Sequence, residues 1–97
     1  ALEPFHIKYI KPTDGKLHRY YIDLFLEFSS GEKFIVEIKS KSETKQPRKP
    51  RKLTEKSTRN YQKAMQTFVI NSAKWNAAKE FAEKNNINFI ILTDEEL

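Results

Sequence analysis

Residues 20–39 read YYIDLFLEFSSGEKFIVEIK. Apolar and polar residues alternate on either side of Ser29-Ser30-Gly31, which predicts a β-hairpin. A three-residue loop puts Gly31 where left-handed backbone is usually needed. Pairing Phe28 with Glu32 then fixes every other pair. Ile22 falls opposite Ile38, Leu24 opposite Val36 and Leu26 opposite Phe34, an apolar set suited to a buried face. On the other face Glu27 meets Lys33 as an ion pair near the turn, Phe25 meets Ile35, Asp23 meets Glu37 and Tyr21 meets Lys39. A slip of one residue would send these side chains to the wrong face, so the register is strongly specified.

Upstream, residues 5–11 alternate, with Phe5, Ile7 and Tyr9 on one side and His6, Lys8 and Ile10 on the other. That is a strand, followed by a turn at Pro12-Thr13-Asp14-Gly15. The second strand spans residues 18–28 and the third 33–39. Downstream, residues 41–53 hold two prolines and many charges and read as a flexible basic loop. Neither glycine nor proline occurs in residues 54–86. Thr54 caps a helix start, with Glu55 favourable in its first turn. Tyr61, Ala64, Met65 and Phe68 form its apolar stripe. The β-branched pair Val69-Ile70, with Asn71 or Ser72 able to cap again, predicts a break. A second helix then buries Trp75, Ala78, Phe81 and Ala82. The alternative is one continuous helix of about eight turns. Asn85-Asn86 ends the helical region. Residues 87–92, INFIIL, read as a strand buried on both faces, and Thr93-Asp94-Glu95-Glu96 as the cap and first turn of a final short helix. The order β-β-β-α(α)-β brings the last strand back through a helical crossover, hence parallel and right-handed. The expected fold is α/β with a mixed β-sheet, in a single domain of 97 residues.

Composition narrows the function. At 38 % hydrophobic and 32 % charged, the chain can build only a small core, which a partner or a further segment would help. The absence of cysteine excludes a disulfide framework and a zinc–thiolate site. No apolar run approaches the ~20 residues that span a bilayer, so no membrane partner is expected. With Gly15 and Gly31 as the only glycines, there is no glycine-rich phosphate loop. A serine-nucleophile motif is also missing, and His6 and His18 lack metal-ligand spacing. The net charge of +5 is unevenly placed. Residues 39–59 hold nine basic residues against two acids, a local charge of +7, so the remainder carries −2. Such a block suits a nucleic-acid phosphate surface, through Lys41, Lys45, Arg48, Lys49, Arg51 and Lys52. The plainer reading is a solvated run without a partner.

Beside this block lies the acidic face of the hairpin. Two carboxylates opposed across strands repel and cost stability, a penalty that a divalent cation between Asp23 and Glu37 removes. Oxygen ligands suit Mg²⁺ or Mn²⁺, which keep waters and bind substrate phosphate. Lys39 lies two residues beyond Glu37 on the same face. It can orient or deprotonate an attacking water, or offset charge in the transition state. An acid-x-lysine strand end is, on its own, more often a solvated edge; Asp23 at the opposing register is what raises it above that.

Asp23, thirteen residues of hairpin, then Glu37-Ile38-Lys39 resembles the PD-(D/E)XK nuclease pattern, with Ile22 where that family often has proline. A wider likeness runs through Asp14-Gly15-Lys16-Leu17-His18-Arg19-Tyr20, Ile22-Asp23, Val36-Glu37-Ile38-Lys39, Asn71-Ser72-Ala73-Lys74-Trp75-Asn76-Ala77-Ala78 and the closing Phe89-Ile90-Ile91-Leu92-Thr93-Asp94-Glu95-Glu96-Leu97. It is similar to the head completion nucleases of T4-like phages, a layout shared with the endonuclease subunit of some cut-and-paste transposons. The resemblance implies a restriction-endonuclease-like core and Mg²⁺-dependent cleavage of DNA, duplex or ends. Asp23, Glu37 and the Ile38 carbonyl would bind metal, Lys39 would serve the water, and Lys74 would touch phosphate. The implied setting is phage head completion, in the host cytoplasm or the virion, with phage head or neck proteins as partners. The family fold opens with a helix bearing a further acid, so the expectation is that this chain begins after that helix and works with a separate N-terminal segment. Two other classes stay open: a non-catalytic DNA-binding or virion structural protein, and a ribonuclease or junction resolvase.

Overall fold

The hairpin over residues 24–39 organises the molecule. In a computed structural model describing residues 6–95, the elements are β1 (His6–Ile10), β2 (Leu17–Tyr21), β3 (Leu24–Glu27), β4 (Lys33–Lys39), a 3-10 turn (Lys41–Thr44), α1 (Glu55–Lys84) and β5 (Asn88–Thr93). β3 and β4 pair antiparallel with Leu24 opposite Val36, Phe25 opposite Ile35, Leu26 opposite Phe34 and Glu27 opposite Lys33, the register derived above. Gly31 takes φ +93° at the turn, and the Phe28 amide donates to the Glu32 carbonyl at 2.9 Å. β5 joins β4 in parallel, Val36 opposite Ile90 and Lys39 opposite Thr93. The class is therefore α/β, with antiparallel and parallel pairing in the sheet β3-β4-β5 and a separate two-stranded sheet β1-β2.

Four expectations about the elements need correction. The strand predicted over 18–28 is two strands, because the chain changes sheets at Ile22-Asp23. Ile22 turns into the core, 3 % exposed, and the Asp23 carboxylate rather than its backbone meets β4. Tyr21 consequently lies opposite His6 instead of Lys39. Second, of the apolar set expected to be buried, Leu24, Leu26 and Ile38 are exposed although Val36 is buried, while Phe25 and Ile35 pack with Phe89 and Ile91 in the cluster that includes the helix residues Trp75, Ala78 and Ala82. β4 is apolar on both sides, so alternation alone could not choose the side that the helix covers. For the same reason β5 is covered on one face only, Phe89 and Ile91 half-buried against the core and Ile90 exposed. Third, Glu27 and Lys33 stand opposite each other without closing to an ion pair.

Fourth, the predicted helix break is absent: α1 runs unbroken for 30 residues. Val69 and Ile70 carry only a modest helix-propensity cost, and Ile70 packs against the core. The start is as predicted. Thr54 Oγ1 accepts from the Ser57 amide at 3.0 Å and Ser57 Oγ from the Thr54 amide at 2.9 Å, a capping box. The end is too, with Asn86 left-handed at φ 57°. The helix residues buried below the surface are Asn71, Trp75, Ala78 and Ala82. The first half of α1 therefore extends past the sheet, giving a long molecule of 54 × 33 × 22 Å. After β5, Asp94 and Glu95 form a turn; Phe5 and the rest of the predicted final helix lie outside the described residues.

Candidate active site

The point where the chain leaves one sheet for the other brings the acids together. Asp23 is released from the ladder, and its Oδ2 accepts a hydrogen bond from the Ile38 amide at 2.9 Å. That bond pins the carboxylate beside the strand carrying Glu37 and Lys39. Glu37 is 4 % exposed, since it occupies the helix-covered face of β4. Its Oε2 accepts from the Tyr20 hydroxyl, and its Oε1 stands 3.6 Å from Lys39 Nζ. Lys39 Nζ also lies 3.9 Å from Glu43 on the 3-10 turn.

Burial holds the Glu37 carboxyl above the ordinary glutamate range. The Tyr20 hydrogen bond and the Lys39 charge work against that, while Asp23 adds to it. Tyr20 is pushed far above a free tyrosine, first by burial and then by its bond to Glu37, so its hydroxyl is a donor at neutral pH. The phenol thus fixes Oε2 and leaves Oε1 turned to Lys39. Lys74, from α1, lies 5.8 Å from the Tyr20 ring centre and 5.9 Å from that of Tyr9, a cation–π pair that backs the tyrosine.

The structure thus gathers Asp23, Glu37, Ile38 and Lys39, with Lys74 one residue removed through Tyr20. It treats the basic loop differently. Lys41 is held by acids, its Nζ 2.9 Å from Glu95 and its amide donating to Asp94 at 3.0 Å. Lys45, Arg48, Lys49, Arg51 and Lys52 are exposed on a segment whose Pro47 and Pro50 lie with Ser57, Asn60 and Ala64 of α1. The expected register set Tyr21 opposite Lys39, whereas Tyr20 is the tyrosine that reaches Glu37. In an unbroken strand Tyr20 and Asp23 would face opposite ways; the break at Ile22 cancels that parity, and no glycine or proline marks it.

Among the described residues no third acid or histidine joins Asp23 and Glu37 in a metal-holding group. A pair of carboxylates is too few for the closed four-ligand set of structural zinc. It does fit a hard cation that keeps several waters and is bound through one or two carboxylates. The opposed acids, one of them buried, also supply the negative charge that such an ion would neutralise.

The family described as "TnsA-like endonuclease N terminal" matches residues 1–94. A head completion nuclease of Enterobacteria phage T4 is 41 % identical over 91 residues, which is 94 % of this chain and 61 % of that protein. The chain therefore spans less than two thirds of the length of that relative. No solved structure matches. The chain belongs to the TnsA-like endonuclease N-terminal family.

Proposed function

We propose that this chain carries the catalytic centre of a metal-dependent DNA nuclease that processes DNA during phage head completion. The observation that supports it is the convergence of Asp23, Glu37 and Lys39 where the chain passes between its two sheets. Asp23 and Glu37 would hold Mg²⁺ or Mn²⁺, with the Ile38 carbonyl as a third oxygen. The bound ion would polarise a phosphoryl oxygen and acidify a water. Tyr20 keeps one Glu37 oxygen occupied, so the other is presented in a fixed direction. Lys39 would place its ammonium against the attacked phosphate, orienting the water and offsetting charge that grows in the transition state. The exposed bases Lys45, Arg48, Lys49, Arg51 and Lys52 would contact the DNA backbone, with Lys41 a weaker contributor while Glu95 holds it. The head-completion setting follows the description of the T4 relative as a head completion nuclease; such a setting would place the protein in the host cytoplasm or virion, with head or neck proteins as partners. No helix among the described residues is long and apolar enough to cross a membrane.

The test is nicking of supercoiled plasmid with Mg²⁺, compared with EDTA. Asp23→Asn and Lys39→Ala should each lower the rate roughly 100-fold or more while binding duplex DNA as wild type does. Binding without cleavage under every metal condition would move the protein to the structural, non-catalytic class. Faster cutting of RNA or four-way junctions than of duplex would replace the substrate.

A further inference from the structure

Beyond the loop, the long helix carries its own charge pattern. Lys56, Lys63 and Lys74 are spaced by seven and eleven residues, about two and three full turns, so they stand in one row along α1. Phe81, seven residues beyond Lys74, continues the row and packs beside Ile7 and Lys8 of β1. The side of α1 that β1 covers at its C-terminal half is thus the side left open at its N-terminal half. There it displays Lys56 and Lys63, both exposed, with Arg59 beside them. Arg59 is partly offset by Glu55 at 3.1 Å. No acid occupies the row itself. At its inner end the row reaches Lys74, over the ring of the tyrosine that holds Glu37. Around the helix, about a quarter turn away, the segment with Arg48 lies against Ser57, Asn60 and Ala64.

We propose that this row is a phosphate track: Lys56, Lys63 and Lys74, with Arg59, guide one strand of duplex DNA along α1 to the acids at Asp23 and Glu37. The inference rests on the nuclease reading for its destination, but the contact surface is tested apart from cleavage. Lys56 to Lys74 covers 18 residues, about 27 Å, or roughly eight base pairs at ~3.4 Å each. Row and loop together would flank the backbone on two sides, and non-sequence-specific phosphate contact of this kind is read directly from salt dependence.

The experiment measures duplex binding in EDTA across a salt series. The Lys56→Ala/Lys63→Ala double variant should lower the slope of log K against log salt by about two, one per lysine, and weaken binding about tenfold at moderate salt. The control double variant removes the same charge elsewhere, at Lys16 in the β1–β2 turn and at Lys79, which lies by Ile87 and Phe89. It should leave the slope near that of wild type. Circular dichroism confirms that both fold. Equal losses in the two variants, an unchanged slope in the first, or no duplex binding by wild type would overturn the track. Wild-type binding with the predicted slope loss but no nicking in Mg²⁺ would support the track while ending the nuclease reading.

Discussion

A carboxylate as enclosed as Glu37 costs stability that catalysis would have to justify. It is 4 % exposed, and burial, its dominant influence, holds its proton more tightly than in the unfolded chain. The native state therefore binds more protons in the window above the ordinary 4.5 of a glutamate, and stability falls as pH rises through that window. Removing the charge should reverse the loss. Glu37→Gln keeps the shape and still offers an oxygen to the Tyr20 hydroxyl. It should melt about 4 °C or more above wild type at pH 7, equivalent to roughly 1 kcal/mol in a domain of this size. The gap should narrow as pH falls toward 4.5, because folded wild type takes up its proton above that value. Thermal melts at several pH values check this. A Glu37→Gln protein that melts below wild type at pH 7 would mean that the Lys39 and Tyr20 contacts outweigh burial.

At the level of elements, the β1–β2 turn has a titration of the opposite sign. Asp14 accepts from the Lys16 amide at 2.9 Å and pairs with His18 at 2.8 Å. The amide first, then the histidine, hold its carboxyl below the usual aspartate range. That contribution is complete above the ordinary 3.8 and is lost as pH falls through the depressed value. Asp14→Asn should therefore lose less stability than wild type as pH falls from 3.8 into acid; the effect is small and shrinks with salt, because the group is exposed. Acid melts at low and high salt read it, and parallel acid limbs would refute it. Elements also show what the sequence made legible. The β3–β4 register followed from Gly31 and alternation, because each pair was locally determined. The helix cap at Thr54 and the stop at Asn86 carried their own polar signals. The side of β4 that α1 covers carried none, since Phe34 and Val36 are as apolar as Ile35. The sheet change at Ile22-Asp23 was equally silent, which is why Tyr20 rather than Tyr21 meets Glu37. Val69-Ile70 suggested a break that core packing at Ile70 overrides.

Across the whole molecule, α1 covers one side of the sheet β3-β4-β5, and the outer residues of the other side are exposed. On that side Leu24 is 41 %, Ile38 44 % and Ile90 36 % exposed around a central Val36 that is itself buried, while Ile35 on the helix side is fully buried. The two sides should respond differently to the same chemical change. Ile35→Thr removes apolar contact and buries a hydroxyl in the core, so it should cost roughly 2 kcal/mol or more. Ile90→Thr makes the same exchange on a half-open edge of the patch and should cost under about 1 kcal/mol. Threonine suits a strand as well as isoleucine does, so propensity does not confuse the comparison. Ile90→Thr combined with Leu24→Thr should also reduce binding of an apolar fluorescent dye and light scattering at high concentration, because it breaks up the exposed patch. Denaturant titrations give the first contrast, and dye fluorescence the second. If Ile90→Thr destabilised as much as Ile35→Thr, the open side would be packed in solution, and the asymmetry that puts Glu37 on the covered face would no longer distinguish the two sides of β4.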